Sequence, residues 1–242
     1  MAVDTEFSLE YEIEKVNELG VPVIIVAGGS SARMKGVDKI TAEICGIPVL
    51  ARTMLAFEKS EFISEIIVVT KEDKIEVVNE YAKKFFISKL TGVAVGGKTR
   101  ADSVNNGLKL INRSNRFVLI HDGARPLVSG QVIERVANAD FTHSCVICAN
   151  ACVDTVKKVK DCFVEETLVR NELVSVQTPQ RLELNKYLKY AEECKNNENI
   201  TDDASIMEKF GEKVFVVDGD FRNIKITTVV DLKIAEVLLE DF

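Results

Sequence analysis

The sequence predicts an α/β fold in which a mostly parallel sheet is flanked by helices and carries a small protruding β-arm. Three observations lead there. Short apolar runs at 23–27, 66–69, 117–120 and 145–149 have the length of buried strands, and the stretches between them carry helical spacing. Strand–helix units repeated in this way pair their strands in parallel through right-handed crossovers. From Val156 the rhythm shortens to apolar runs at 156–159, 166–169 and 173–177, separated by charged turns with no room for crossover helices, which marks an arm at about 150–177. Residues 21–242 read as one domain, since 242 residues suffice for a single sizeable core. Residues 1–20 read as an acidic extension with a short amphipathic stretch between Phe7 and Leu19.

In chain order, Val23 to Ala27 run into Gly28, Gly29, Ser30 and Ser31, after which Ala32, Arg33 and Met34 open a helix. An apolar run ending in small residues lets the backbone approach a ligand closely, and exposed N–H groups, two hydroxyls and Arg33 suit phosphate. The spacing is neither G-x-G-x-x-G nor a Walker loop, so the glycines alone fit an ordinary strand-to-helix turn as well. Lys39, beyond a turn marked by Gly36 and Asp38, is placed to fold back over the loop. Pro48 belongs near the first turn of a helix whose Val49, Leu50, Thr53, Met54 and Phe57 repeat at core-facing intervals.

The strand at 66–69 leads into a helix over 74–84, residues 85–95 return to the sheet, and a glycine-marked turn at 96–100 precedes a helix over 101–110. The strand at 117–120 ends in His121-Asp122-Gly123-Ala124-Arg125-Pro126. Open α/β sheets bind ligands beyond the carboxyl ends of their strands, which would turn Asp122 toward a metal–phosphate complex and Arg125 toward a phosphate; a solvated turn accounts for either residue taken singly. His121 has no companion nucleophile and reads as oriented by its neighbours.

A helix over 131–138 and the strand at 145–149 lead into the arm, whose valines and leucines call for a second subunit as cover. Thr178-Pro179-Gln180 closes the insertion, and a charged helix follows to about Glu193. Thr201-Asp202-Asp203-Ala204-Ser205 is a capped helix start, with Thr201 or Asp202 as the cap. A strand at 214–217, the segment Asn223-Ile224-Lys225-Ile226-Thr227 and a helix over 230–239 complete the chain.

Composition bounds the function. Thirty-one basic against 38 acidic residues leave a formal charge of -7, which excludes a general duplex nucleic-acid binder but not a local cationic pocket. No apolar run approaches a membrane span and the first twenty residues are acidic, so the expected location is the cytoplasm. Six cysteines in a chain of this length do not make a disulfide scaffold. Cys145, Cys148 and Cys152 have near-zinc spacing, but without a second Cys-x-x-Cys pair they read as buried small thiols, with Cys145 and Cys148 facing opposite ways along a strand.

Taken together, AGGSSARM (27–34), the lysine of GVDKI, GGKTRADSVNNGL (96–108), HDGARP (121–126), VDT (153–155), TPQ (178–180), TDDAS (201–205) and NIKIT (223–227) resemble the 2-C-methyl-D-erythritol 4-phosphate cytidylyltransferase family, within the sugar-nucleotide transferases of Rossmann-like α/β fold. The resemblance runs from Val21 to about Leu239. The chain departs from the usual pattern at VAGG, at Asp38-Lys39-Ile40, at Gly123 and at Arg222.

The resemblance implies an enzyme that transfers CMP from CTP to 2-C-methyl-D-erythritol 4-phosphate with Mg²⁺, working as a homodimer joined through the arm. It implies that Arg33, Lys39 and Lys225 are catalytic. The nucleotide would lie against Ala27, Gly28, Gly29, Arg33, Lys39, Gly97, Arg100, Ser103, Asp122 and Gly123, with Arg33 and Lys39 on the triphosphate and cytosine read by Ala27, Gly97 and Ser103. The acceptor would meet Asp122, Arg125, Thr155, Thr178 and Lys225, with Arg170 reaching the neighbouring subunit's acceptor phosphate. Asp122 is the candidate for the metal side. A ribitol 5-phosphate cytidylyltransferase shares nearly all these motifs, and a non-catalytic nucleotide-binding scaffold is the alternative of another class.

Overall fold

The computed structural model describes residues 20–29, 32–34, 36–194, 200 and 202–240. The acidic extension up to residue 19, with its amphipathic stretch, lies outside the described residues, as do Ser30, Ser31 and Thr201.

A seven-stranded sheet organises the chain. Its strands are β1 (Val21–Val26), β4 (Ile63–Thr70), β5 (Leu90–Val95), β6 (Phe117–Asp122), β7 (Cys145–Ala151), β10 (Val174–Glu183) and β11 (Val214–Asp218), in the order β11-β7-β10-β6-β1-β4-β5. β1 pairs in parallel with both β4 and β6, β4 with β5, and β11 with β7; β10 runs antiparallel between β6 and β7. Two short strands, β2 (Glu43–Ile44) and β3 (Ile47–Pro48), form a separate antiparallel ladder.

Helices cover both faces. Alternate side chains of β1 divide between them, Val23 and Ile25 to one core and Ile24 to the other, as a strand buried on both sides requires. The first core also holds α1 (Val49–Glu58), α2 (Ile75–Lys84), α4 (Gly130–Ala137) and α7 (Val229–Glu240). The second holds α3 (Arg100–Leu108), α5 (Leu184–Glu193) and α6 (Asp203–Lys209). Cys145 lies in the second core and Cys148 in the first, so the two thiols do face apart. Burial pushes Cys148 up to about 12 and keeps it a thiol, and among the described residues no group of three His, Cys, Asp or Glu is placed to hold a metal. No described helix is long and apolar enough to cross a membrane.

The arm is a hairpin of β8 (Lys157–Lys160) and β9 (Phe163–Thr167), exposed throughout. Two expectations are corrected here. The second arm strand ends at Thr167, because residues 170–172 form a 3₁₀ turn. The third run does not end at 177: Thr178-Pro179-Gln180 lies inside β10, which continues to Glu183 within the main sheet. Proline normally terminates a central strand, but Pro179 falls where the pairing with β7 shifts register, between Val176 and Gln180, so its missing N–H interrupts no ladder. Arg181 further disguises the strand as surface. Its buried guanidinium donates to the carbonyls of Ala137, Ala139, Asp140 and His143 and lies over Phe117 and Phe141.

Candidate active site

The carboxyl ends of β6, β1, β4 and β5 share one edge of the sheet, where the connection out of β1 runs to β4 on one side and the connection out of β6 runs toward β7 on the other. This is the point at which open α/β sheets present a crevice. A cavity of about 410 Å³ occupies it. Ala27, Gly28 and Gly29 form one wall, the 97–100 turn with Ser103 another, and Lys39, Asp122 and Lys225 converge from the remaining sides.

The first wall is built from backbone. Ala27 N–H donates to Val69 O and Gly123 N–H to Val26 O, which fixes both loops against the strand ends. Lys39 folds back over this wall: a side chain on Gly29 would meet Lys39 Nζ at 3.3 Å. The turn that returns it is held by Asp38, whose Oδ1 accepts Ile40 N–H and whose Oδ2 pairs with Lys74. Asp38 thereby gives the unusual Asp38-Lys39-Ile40 sequence a structural role. Burial and then the Lys225 ammonium lower the Lys39 pKa; Arg33 adds to this, and Asp122 and Asp38 oppose it.

The second wall depends on helix capping. Thr99 and Asp102 form a capping box at the start of α3, and Ser103 Oγ donates to Thr99 O while accepting Gly97 N–H. A Cβ on Gly97 would overlap Asp102, so only glycine fits this approach. Arg100 crosses from this wall to Asp203, with Nη1 2.5 Å from Oδ2, and its Nε stands 3.8 Å from Asp122 Oδ1. Burial opposes its charge, but Asp203 and then Asp122 raise its pKa above the ordinary value.

Asp122 is the electrostatic hub. Lys225 Nζ lies 2.8 Å and Arg125 Nε 3.4 Å from its Oδ2. Burial alone would raise its pKa; Lys225, Arg100 and Arg125 outweigh burial and hold it at about 2. Behind it, Asp122 N–H donates to Thr178 Oγ1, which also bonds His121 Nδ1. His121 Nε2 faces Arg125 O, and a carbonyl only accepts, so Nε2 carries the proton and Nδ1 accepts from the Thr178 hydroxyl. Burial lowers His121 to about 3, which keeps the ring neutral. It is a strut, packed edge-on against Phe57.

The irregular 223–227 segment is stitched in place. Arg125 Nη1 donates to Asn223 O, Asn223 Nδ2 to Thr178 O, and Ile226 N–H to Ala124 O, which delivers Lys225 to Asp122. Arg222 pairs with Asp220 beside it.

The fold thus brings Ala27, Gly28, Gly29, Lys39, Gly97, Arg100, Ser103, Asp122 and Lys225 around one cavity. Gly123, Arg125 and Thr178 stand behind it. Arg125 in particular turns into the wall, toward Asn223 and Asp122, where it had been expected to face a phosphate. Arg33 is exposed on the 3₁₀ turn Ala32–Met34. Thr155 and Arg170 are exposed on the arm, where Arg170 Nη1 donates to Val153 O.

Sequence reasoning missed Lys71, Lys98 and Thr99, which also line the cavity. Lys71 directly follows β4, so the strand-end rule applied to Asp122 would have found it. Asp202 is the cap and Asp203 the first-turn acid, as the sequence predicts; what the sequence does not show is that Asp203 is buried against Arg100.

Comparison with known proteins settles the lineage. The sequence profile of 2-C-methyl-D-erythritol 4-phosphate cytidylyltransferase (IspD) matches residues 21–241. The chain belongs to this cytidylyltransferase family. It is 40% identical over 221 residues to the family enzyme of Clostridium botulinum (strain Okra / Type B1), covering 90% of this chain and 96% of that one. Identity to the Halalkalibacterium halodurans enzyme is 41% over 223 residues, covering 90% and 96%. The crystal structure of the 4-diphosphocytidyl-2C-methyl-D-erythritol synthase of Anaerococcus prevotii DSM 20548 superposes with a TM-score of 0.81 at 32% identity, over 91% of this chain and 98% of that chain. The Thermus thermophilus cytidylyltransferase gives 0.74 at 26%, over 91% and 99%. Membership of the cytidylyltransferase family makes the chain an enzyme of isoprenoid precursor biosynthesis and removes the scaffold alternative.

Proposed function

We propose that this enzyme transfers CMP from CTP to 2-C-methyl-D-erythritol 4-phosphate, giving 4-diphosphocytidyl-2-C-methyl-D-erythritol and pyrophosphate. The observation that carries the reading is the convergence of Lys39, Arg100 and Lys225 with Asp122 on one cavity at the strand ends. A phosphate oxygen of the acceptor attacks the α-phosphorus, the new P–O bond forms, and the bond to the β-phosphate breaks to release pyrophosphate. A phosphate monoester has its second pKa at about 6 and is mostly dianionic near neutrality, so no general base is needed. The protein's task is charge and alignment.

Cytosine lies against Ala27, Gly97 and Ser103, where a close backbone wall excludes the larger purines and polar groups read the base edge. Lys39 and Arg33 meet the triphosphate, and Lys225 stands between the α-phosphate and the incoming phosphate. Arg125 and Thr178 hold Asp122 and the 223–227 segment in position for the acceptor, which Thr155 approaches from the base of the arm. Mg²⁺ commonly binds through one or two carboxylates with substrate phosphates and water, and Asp122 is the cavity carboxylate that fits this donor set. When bound, the ion offsets triphosphate charge.

The arm exposes Val159, Phe163 and Val164, apolar side chains that a second copy of the chain would cover. In that dimer Arg170 reaches the acceptor phosphate of the neighbouring subunit.

The test is a matrix of CTP, UTP, ATP and GTP against methylerythritol, ribitol and glycerol phosphates, scored by Mg²⁺-dependent pyrophosphate release. The proposal predicts turnover with CTP and methylerythritol phosphate far above every other pair. Preference for ribitol 5-phosphate would replace the acceptor while keeping the reaction.

A further inference from the structure

We propose that Asp203, backed by Tyr187, is a positioning residue that holds the Arg100 guanidinium at the nucleotide side of the cavity and keeps it off Asp122. The inference rests on reading this cavity as the CTP site. Asp203 and Tyr187 are each 1% exposed. Both carboxylate oxygens are committed: Oδ2 receives Arg100 Nη1 and Oδ1 receives the Tyr187 hydroxyl at 2.6 Å. Capping does not explain this arrangement, because Asp202 and Ser205 form the capping box of α6 and leave the Asp203 side chain free of that duty.

The helix start is itself anchored to the sheet. Gln180, paired with Ile120 in β6 and Ile147 in β7, accepts Ala204 N–H and donates to Asp202 Oδ2. The carboxylate is thus located by β10, α5 and α6 together.

What it prevents is visible in the geometry. The Arg100 Nε is already 3.8 Å from Asp122 Oδ1, and Lys225 occupies the other oxygen of the same carboxylate. A guanidinium makes strong charge-assisted hydrogen bonds to a carboxylate oxygen within reach. Released from Asp203, Arg100 closes on Asp122 Oδ1 and withdraws its donors from the nucleotide, while Lys225 keeps Oδ2 on the acceptor side.

The test is a double-mutant cycle on CTP binding, measured by calorimetry with Mg²⁺ on folded protein, together with both KM values. Asp203→Asn is expected to weaken CTP binding at least tenfold with the acceptor KM within twofold, and Tyr187→Phe to act more weakly in the same direction. Because Asp203 works through Arg100, Arg100→Gln with Asp203→Asn binds CTP no worse than Arg100→Gln alone. Additive losses, an equal rise in acceptor KM, or CTP binding unchanged in Asp203→Asn would overturn the proposal. Unchanged CTP binding in Arg100→Gln would overturn the nucleotide-site reading beneath it as well. Should Asp203→Asn fail to fold, the cycle is run with Tyr187→Phe, where additive losses overturn the proposal equally.

Discussion

Lys225 Nζ lies 2.8 Å from Asp122 Oδ2, so a cation on a loop without regular structure is fixed by the last residue of a buried strand. Asp122 also faces Arg100 and Arg125, and Lys39 sits close enough for Lys225 to lower its pKa. The site is a ring of cations around one carboxylate, an arrangement whose charge suits phosphate.

Removing a cation from this ring costs rate. Lys39→Ala and Lys225→Ala are each expected to lose at least tenfold in turnover, about 1.4 kcal/mol of barrier. Pyrophosphate release at saturating substrates, with thermal unfolding as the control for folding, measures it. Unchanged turnover in both variants would take these lysines out of the mechanism.

Gly97→Ala tests the second wall. The added methyl group meets Asp102, so α3 must shift and the capping box loosens. Overpacking of this kind costs about 1–3 kcal/mol of stability. Urea unfolding should show that loss, and the CTP KM should rise more than the acceptor KM.

The buried imidazole makes stability depend on pH. His121 titrates at about 3 in the folded protein and near 6.5 when unfolded, so between those values the unfolded chain binds the extra proton. Stability therefore falls as pH drops from about 6.5 toward 3, by up to ~1.4 kcal/mol per unit from this one group. Asp122, held at about 2, contributes in the same direction only below its unfolded value near 3.8. Chemical denaturation at pH 7 and pH 5 separates the two: His121→Asn should shrink the difference, and an identical difference in wild type and variant would exclude His121 as its source.

A site shared between subunits can be tested by complementation. If Arg170 serves the neighbouring subunit, mixing Arg170→Ala with Lys39→Ala creates mixed dimers with one intact site. Random reassortment of equal amounts then recovers roughly a quarter of wild-type activity. No recovery from two inactive parents would place Arg170 in its own subunit's chemistry, and full activity of Arg170→Ala alone would place it outside the chemistry.

Much of this architecture was legible in the sequence because buried strands announce themselves by length and composition. The runs 66–69, 117–120 and 145–149 lie within β4, β6 and β7, and the glycine-marked loops fall at strand ends. β10 was not legible as a central strand: its proline lies at a register shift and its buried arginine resembles a surface residue, and only tertiary contacts reveal either fact. The buried partners of Arg125 and Asp203 were not legible for a related reason. A charged side chain in a turn or first helical turn looks solvent-directed until its partner is known, and the partners Asn223 and Arg100 are distant in sequence.

The continuity of β10 constrains how this enzyme can change. The strand leaves the hairpin at Val174 and, across the register shift at Pro179, carries Thr178 and Gln180 to the heart of the molecule. Deleting one residue between Val174 and Gln177 would shorten the reach from the hairpin and draw the Thr178 hydroxyl away from Asp122. Length variation is tolerable at the outer bend, Asp161-Cys162, where both residues already adopt positive φ, but not at the root.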